Sequence, residues 1–171
     1  MQQELKFDAG IPETTSLVSL KVPAEWKLIR LRECPMPGNL MIGDTPARIV
    51  QYWQAHVEQS PLFNPCVESA VVLFLNTRAR ILGHCFVATG TIDTVFVHPR
   101  EVFRAAITAN AASIVLAHNH PSGESEPSEA DIRVTREIAR AGQILKISLT
   151  DHLIIGRNNW TSLRQSGVLG L

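Results

Sequence analysis

Two histidines separated by one residue, His118 and His120, stand at the end of an apolar run and open the segment HNHPSGESEPSEAD. In an extended chain, alternate side chains point to the same side, about 6–7 Å apart. Two imidazoles placed in this way can share one metal ion, and imidazole nitrogen suits zinc and similar borderline metals. The spacing therefore predicts a pair of metal ligands, although a lone His-x-His is more often unrelated to metal.

Asp131 is the candidate third ligand, near the start of the next predicted helix. Val134, Ile138 and Ala141 share a helical face with Asp131, and this apolar face is expected to turn to the core. The carboxylate would then point back toward the strand that carries the histidines. Two histidines and one aspartate leave a tetrahedral zinc ion one open position, which is typical of a catalytic site. Water bound there would ionise near neutral pH, with a pKa of about 7.

The same residues have a simpler explanation as helix caps. Ser128 is a suitable N-cap, and Asp131 then stands at the third helical position of a capping box. Each residue taken alone is better explained in that way. The joint pattern of His-x-His-Pro, six residues, and Ser-x-x-Asp is much less expected by chance.

The elements that would position these residues follow a mixed order. DTPARIVQYWQAHVEQ predicts a helix capped by Asp44 or Thr45, with Ile49, Trp53 and Val57 on one face. VESAVVLFLNTRARILGHCFVA predicts a hairpin of two strands. HPREVFRAAITANA predicts a helix, and ASIVLA predicts a buried strand that leads into the histidines.

The remaining segments continue this alternation. PSEADIRVTREIARAG predicts a helix that stops at Gly142. ILKISLTDHLIIG predicts one or two strands, and TSL at residues 161–163 predicts the start of a short helix. The order of elements predicts an α+β (mixed α/β) fold, with a sheet and flanking helices.

Length and composition limit the classes of protein. The 171 residues suit one domain, and we expect residues 1–44 to form an N-terminal extension and connector and 45–171 to form the main domain. The formal net charge is zero, which gives no long-range attraction to nucleic acid or to an anionic membrane. No signal peptide is visible, and no apolar run reaches the roughly 20 residues that a membrane helix needs.

The three cysteines, Cys34, Cys66 and Cys85, lack Cys-x-x-Cys spacing. Their odd number excludes a complete disulfide framework. We therefore expect reduced cysteines and a cytoplasmic protein.

Residues 118–131 carry a motif that is identified as the JAMM metalloprotease motif of the JAB/MPN superfamily. GTIDTVFVHPREVFRAAITANAASIVLAHNHPSGESEPSEADIRVTREI and LTDHLIIGRN resemble the RadC family more closely, over roughly residues 65–166. The resemblance implies a JAB/MPN-like sheet with flanking helices. The chain resembles a short form, because residues 1–44 lack the glycine-centred hairpin of the family's upstream helix-hairpin-helix segment. GESEPS also differs from the commoner GDPTPS, which bears on substrate preference and spares the ligand positions.

The resemblance also implies an activity and residue roles. It implies a zinc-dependent hydrolase that cleaves a peptide, isopeptide or related amide bond in a peptide or amide-conjugate substrate. His118, His120 and Asp131 would bind Zn²⁺, and Ser128 would hydrogen-bond the oxyanion or the metal-bound water. Glu68 matches the family's upstream glutamate and would act as general base toward a zinc-bound water. Without the resemblance, Glu68 is simply a charged residue at a strand end.

Two other functions remain open. The first is an accessory protein of DNA metabolism with a structural or vestigial metal site, which the stripe of Arg133, Arg136 and Arg140 supports. A solvated helix face paired with Glu129 and Glu137 explains the stripe more simply, and the zero net charge disfavours nucleic acid. The second is a partner-binding module associated with mobile elements.

Four further residues have predicted supporting roles. His98 precedes a proline and is expected at a helix entry. Asp151 and His152 are a candidate pair that would support a metal-binding histidine from behind. Asn119 lies on the opposite face from its histidine neighbours, and we expect it to hold the loop through hydrogen bonds to the backbone.

Overall fold

A five-stranded mixed sheet forms the centre of the computed structural model, which describes residues 42–90 and 97–169. The strands are β1 (Ser69–Leu75), β2 (Ile81–Thr89), β3 (Ser113–Asn119), β4 (Ser148–Ile155) and β5 (Trp160–Ser162). They lie in the order β2-β1-β3-β4-β5; β3 and β4 pair in parallel, and the other neighbours pair antiparallel. The sheet and its helices confirm the predicted fold class. The predicted N-terminal extension lies almost wholly outside the described residues.

Three helices flank this sheet. They are α1 (Pro46–Tyr52), which continues as a π-helical turn (Trp53–Val57), α2 (Pro99–Thr108) and α3 (Glu129–Leu145). Each begins after a residue whose side chain accepts a backbone N–H, namely Thr45, His98 and Ser128. The predicted helix-entry role of His98 is therefore confirmed. Among the described residues, no helix is long and apolar enough to cross a membrane.

Helices cover both faces of the sheet. Side chains alternate along each strand, so each strand contributes apolar residues to both faces. On one face, Leu116 packs in a core that includes Ile138 of α3 and residues of α2. On the other face, Leu73 packs in a core that includes Trp53. The apolar stripe predicted for the first helix is buried in this second core. The candidate site belongs to the first face, beside α3.

The parallel pairing of β3 with β4 shifts by one residue. Val115 pairs with Asp151, so Thr150 is an extra residue in β4, and its hydroxyl donates to a β3 carbonyl at 2.9 Å. Paired residues of neighbouring strands point to the same face of a sheet. The shift therefore turns His152, rather than Asp151, to the face that carries His118.

Gly142 does not end α3, contrary to the sequence prediction. The helix continues to Leu145 and ends at Lys146, which adopts the left-handed conformation with φ 59°. A Cβ atom on Gly142 would lie 2.5 Å from the carbonyl oxygen of Ile147 and 3.3 Å from the Phe103 ring. This glycine is therefore required for close packing of α3 against its neighbours.

The prediction that residues 161–163 begin a short helix was also wrong. Thr161 and Ser162 belong to β5, where Ser162 pairs with Leu153 of β4. Hydrogen-bonded turns follow over residues 163–169. Pairing with a neighbouring strand decides this segment, and the local sequence does not reveal that partner.

Candidate metal centre

The antiparallel pairing of β1 with β3 brings the first three site residues together. Ala70 pairs with His118, and the same register extended by two residues places Glu68 opposite His120. Because alternate residues share a face, Glu68, His118 and His120 lie on the α3 side of the sheet. One potential ligand atom from each of these three residues lies within 4.8 Å of the others. The predicted general base and the predicted histidines therefore form one cluster.

Asp131 reaches the same cluster from the first turn of α3. Its Oδ1 lies 3.2 Å from Nε2 of His118, and its Oδ2 lies 3.7 Å from Nε2 of His120. Glu68 Oε1 lies 3.5 Å from the same Nε2 of His120. Two carboxylates thus contact the histidine pair, and both are within reach of an ion held by the two imidazoles.

Ser128 and Asp131 form the capping box expected from the sequence. The Asp131 amide donates to Ser128 Oγ at 3.2 Å, and the Ser128 amide donates to Asp131 Oδ2 at 2.8 Å. The Ser128 hydroxyl also donates to Asp131 Oδ2, at 2.6 Å. Two donors therefore occupy Oδ2, and Oδ1 is directed to His118. The contact of Ser128 with an oxyanion stays a prediction.

The electrostatics of the site favour a positive charge among these groups. Burial alone would raise the pKa of Asp131, but contacts with His118, His120 and Ser128 hold this pKa far below its usual range. The nearby Asp131 carboxylate raises the pKa of His120, against the opposing effect of burial. The carboxylate therefore stays ionised, and the imidazole next to it attracts a proton or an equivalent cation.

The donor set fits a metal ion. The Nε2 atoms of His118 and His120 lie 3.0 Å apart, and two lone pairs at this distance repel unless a proton or a metal ion separates them. Each Nδ1 is engaged elsewhere, with His152 and with the carbonyl of Glu124 respectively, so both Nε2 atoms face the site. Imidazoles together with carboxylates suit zinc and similar divalent metals.

His118 is supported by a second buried histidine. His118 is 2% exposed, and its Nδ1 lies 2.9 Å from Nε2 of His152. Nδ1 of His152 lies 2.6 Å from the hydroxyl of Thr135. Burial lowers the pKa of His152 well below its usual value, so this ring is neutral. His152 thus lies where the sequence prediction placed a supporting residue.

Asp151, the other member of the predicted pair, does not contact His118. Its Oδ2 accepts the Ser162 hydroxyl at 2.7 Å, and its Oδ1 accepts the backbone amides of His152 and Arg164. Burial raises the pKa of Asp151, and these hydrogen bonds oppose that rise. Asp151 therefore holds β5 and the following turn, because the extra residue in β4 points its side chain away from the site.

His120 is held by the loop that follows it. Its Nδ1 donates to the carbonyl of Glu124 at 3.0 Å. The Gly123 amide donates to the carbonyl of His120 at 3.0 Å, and the carbonyl of Gly123 accepts the Arg157 amide at 2.9 Å. Gly123 adopts φ 89°, which favours glycine. Within GESEPS, the buried Ser125 hydroxyl forms a hydrogen bond of 3.0 Å with the hydroxyl of Thr161 in β5.

Asn119 holds the residues on both sides of Glu68. The Ser69 amide donates to Asn119 Oδ1 at 3.0 Å, and Asn119 Nδ2 donates to the carbonyl of Val67 at 3.0 Å. The prediction expected these bonds to the backbone but placed them on the loop after His120. The structure places them on the start of β1 instead, where they fix the path of the chain through Glu68.

Thr135 is the site residue that the sequence analysis missed. Its side chain is fully buried between α3 and β4, where it contacts His152. One signal was available, since Thr135 follows Asp131 by one helical turn and therefore shares its face. Its partner could not be identified, because the shift in β4 decides which residue of that strand it meets.

The mixed sheet, with this cluster at one end of its inner strands β1 and β3, defines the class as a JAB/MPN-type domain. The family model described as RadC-like JAB domain matches residues 43–168. The chain therefore belongs to the RadC family of the JAB/MPN superfamily, and the resemblance found in the sequence is confirmed.

Several curated relatives are similar to this chain. A UPF0758 protein of Chlorobaculum tepidum is 48% identical over 167 residues, which cover 98% of this chain and 71% of that protein. A UPF0758 protein of Chlorobaculum parvum is 49% identical over 60% of this chain and 46% of its own length. One of Thermosynechococcus vestitus is 41% identical over 75% of this chain and 50% of its own length. The chain thus spans about half the length of two of these relatives.

Proposed function

We propose that this domain is a zinc-dependent hydrolase of the JAMM type that cleaves a peptide, isopeptide or related amide bond. One observation carries the proposal. Ligand atoms of Glu68, His118 and His120 lie within 4.8 Å of one another, and Asp131 lies 3.2 Å from His118. The proposed substrate is a peptide or an amide conjugate. The free thiols of Cys66 and Cys85 support a reducing compartment, and we propose the cytoplasm.

The two carboxylates are assigned different roles because their surroundings differ. Oδ2 of Asp131 already accepts two hydrogen bonds from Ser128, and Oδ1 is directed to His118. Asp131 is therefore the proposed third ligand, beside His118 and His120. Glu68 is buried just before β1, and its Oε1 lies 3.5 Å from Nε2 of His120 in the same cluster. Glu68 is the proposed general base.

The proposed reaction is hydrolysis of an amide by water. Zinc, when bound, supplies a Lewis acid that polarises the scissile carbonyl and lowers the pKa of water. Glu68 accepts a proton from the attacking water and later gives it to the leaving amine. His118, His120 and Asp131 hold their donor atoms toward a common point, and Ser128 orients Asp131 through the capping box.

The test combines zinc content with turnover. Purified protein is loaded with zinc, measured by mass spectrometry, and screened against a fluorogenic library of peptide amides and ε-lysyl isopeptides. Glu68→Gln keeps the shape of the side chain but cannot accept the proton. We expect this variant to retain zinc and lose roughly 10²–10⁴-fold in turnover, as is typical when a general base is removed. Asp131→Asn should lose zinc and turnover together, since a neutral amide is a poor zinc ligand.

Glu129→Gln is the matched control, because Glu129 is an exposed glutamate on the first turn of α3. It should behave like wild type in both measurements. Glu68→Gln that cleaves at the wild-type rate would show that another residue is the base. Loss of zinc in Glu68→Gln would make Glu68 a ligand and would contradict a site with one open position.

A second candidate function is that of an accessory protein of DNA metabolism, and one observation favours it. Arg133, Arg136 and Arg140 are exposed on α3, and within the described residues none forms the expected ion pair with Glu129 or Glu137. The zero net charge opposes this function. Duplex binding no tighter than the non-specific range of about 10⁻⁴–10⁻⁶ M at physiological salt would reject it. Nanomolar binding that is lost when the three arginines become glutamine would favour it.

A further inference from the structure

A chain of hydrogen-bonding groups runs behind the candidate metal centre. Nδ1 of His118 lies 2.9 Å from Nε2 of His152, and Nδ1 of His152 lies 2.6 Å from Oγ1 of Thr135. The same Oγ1 lies 2.6 Å from the carbonyl oxygen of Asp131. The chain therefore begins at the backbone of one proposed ligand and ends at the ring of another.

The direction of each hydrogen bond follows from which groups can donate. A carbonyl oxygen cannot donate, so the single hydroxyl hydrogen of Thr135 goes to the carbonyl of Asp131. Oγ1 of Thr135 must then accept from Nδ1–H of His152. His152 is 1% exposed, and its hydrogen-bond partners are a hydroxyl and an imidazole, so a second proton would leave an uncompensated charge on a buried ring. With its one hydrogen on Nδ1, the ring accepts at Nε2 from Nδ1–H of His118. The remaining nitrogen of His118, Nε2, then carries no hydrogen and directs its lone pair into the cluster, toward His120 and Asp131.

The opposite direction would disable the site. If the Thr135 hydroxyl donated to His152, its oxygen and the carbonyl of Asp131 would stand 2.6 Å apart with no hydrogen between them. His152 would then carry its hydrogen on Nε2 and donate it to His118. His118 would hold its own hydrogen on Nε2, the atom that lies 3.2 Å from the Asp131 carboxylate.

We infer that Thr135 and His152 are positioning residues that fix the tautomer of His118 and so keep its Nε2 lone pair directed at the metal. This inference rests on the proposed function, because it concerns the same metal centre. Both residues are almost completely inaccessible, at 0% and 1% exposure, so water does not compete for these hydrogen bonds. Since Asp131 is the origin of the chain, the first turn of α3 supplies one ligand and sets the protonation of another.

The first test reads the tautomer directly. Long-range ¹H–¹⁵N NMR correlations of the wild-type protein distinguish a hydrogen on Nδ1 from one on Nε2. We expect Nδ1–H for both His118 and His152. A spectrum with the hydrogen of His152 on Nε2 would overturn the inference, whatever the protein binds.

The second test measures zinc affinity by competition with a chelator. Thr135→Val keeps the shape of the side chain and removes the hydroxyl, so His152 loses the acceptor for Nδ1–H. We expect zinc affinity to fall roughly 10–100-fold, the range typical of losing a group that supports a ligand. Thr135→Ser restores a hydroxyl at the same place and should bind zinc within about threefold of wild type.

Thr108→Val is the matched control, because the Thr108 hydroxyl donates to the carbonyl of Arg104 at 2.8 Å in α2, with no histidine partner. It should leave zinc affinity unchanged. Equal zinc affinity of Thr135→Val and wild type would overturn the inference. Wild-type protein that binds no zinc would refute the proposed function alone, because the tautomer of His152 can still be read in the metal-free sample.

Discussion

His118 and His120 stand two residues apart on one strand, yet the protein holds them by different means. His118 is buried, and its ring contacts His152 of β4, which contacts Thr135 of α3. His120 is more exposed, and its ring donates to a carbonyl of the following loop. One imidazole is therefore supported by sheet and helix, and the other by a short loop.

Because of this difference, we expect the loop around His120 to tolerate more amino-acid substitutions than the surroundings of His118. A change near His118 must preserve a packed interior, where an unpaired polar group costs about 1–3 kcal/mol. The loop around His120 supplies only a backbone carbonyl, and residues with many different side chains can supply the same carbonyl. The departure of GESEPS from GDPTPS falls in this loop, and the carbonyl of Glu124 still accepts the hydrogen of His120.

The largest expected effect on zinc affinity comes from replacing either histidine with alanine. His118→Ala and His120→Ala each remove a proposed ligand, so both should weaken zinc binding by more than the roughly 10–100-fold typical of losing a supporting residue. Their effects on the metal-free protein should differ. His118→Ala leaves Nε2 of the buried His152 unpaired and should lower the free energy of unfolding by about 1–3 kcal/mol. His120→Ala should change it by no more than about 0.5 kcal/mol.

Urea unfolding in the presence of a chelator measures this difference. Equal destabilisation by the two substitutions would remove the distinction between an imidazole held by the core and one held by the loop.

A smaller effect is expected at the residue between the two histidines. Asn119→Ala removes both hydrogen bonds that flank Glu68, so the carboxylate shifts relative to the two imidazoles. We expect turnover to fall roughly 10–100-fold, because misplacement of a reacting group by about 1 Å can lower the rate by about 100-fold. Zinc content should stay at the wild-type level, since no proposed ligand is held by Asn119. Turnover and zinc content are measured on the same sample.

Asn76→Ala is the control for this variant, because Asn76 Oδ1 also accepts two backbone amides, in the turn between β1 and β2. It should not change turnover. A loss of zinc in Asn119→Ala would instead show that Asn119 supports the neighbouring histidines.

The smallest expected effect tests the loop itself. Gly123→Ala places a side chain at φ 89° and brings a Cβ atom 3.3 Å from Cβ of Arg157. Left-handed backbone costs a non-glycine residue about 1–2 kcal/mol, and movement of the loop would relieve part of this strain. Zinc affinity should therefore fall by up to about tenfold, which corresponds to 1.4 kcal/mol. Chelator competition measures the change.

Gly167→Ala provides the comparison, since Gly167 has φ 77° and a Cβ atom there would meet nothing within 4 Å. It should reduce stability to a similar extent and leave zinc affinity unaltered. If both variants lose zinc equally, the loop has no special part in holding His120.

The sequence predicted the helices, the hairpin and the clustering of the motif residues, because these depend on local periodicity and short spacing. It could not predict that His152 alone would face His118, since a one-residue shift between β3 and β4 decides this. It misplaced the end of α3, because Gly142 looks like a helix stop and is required instead by contact with Ile147. Thr135 was missed because its contact with His152 depends on how α3 packs against β4, which the local sequence does not show.

The order of the site residues along the chain determines which of them can be exchanged together by recombination. The proposed ligands, the capping serine and both positioning residues lie in one continuous segment, 118–152, formed by β3, α3 and β4. Glu68 comes from a separate hairpin earlier in the chain. A single genetic exchange can therefore replace the hairpin and leave the segment with the proposed ligands whole. Descendants of such an exchange would keep the proposed ligands and lose the proposed general base, so these two parts of the site can be inherited separately.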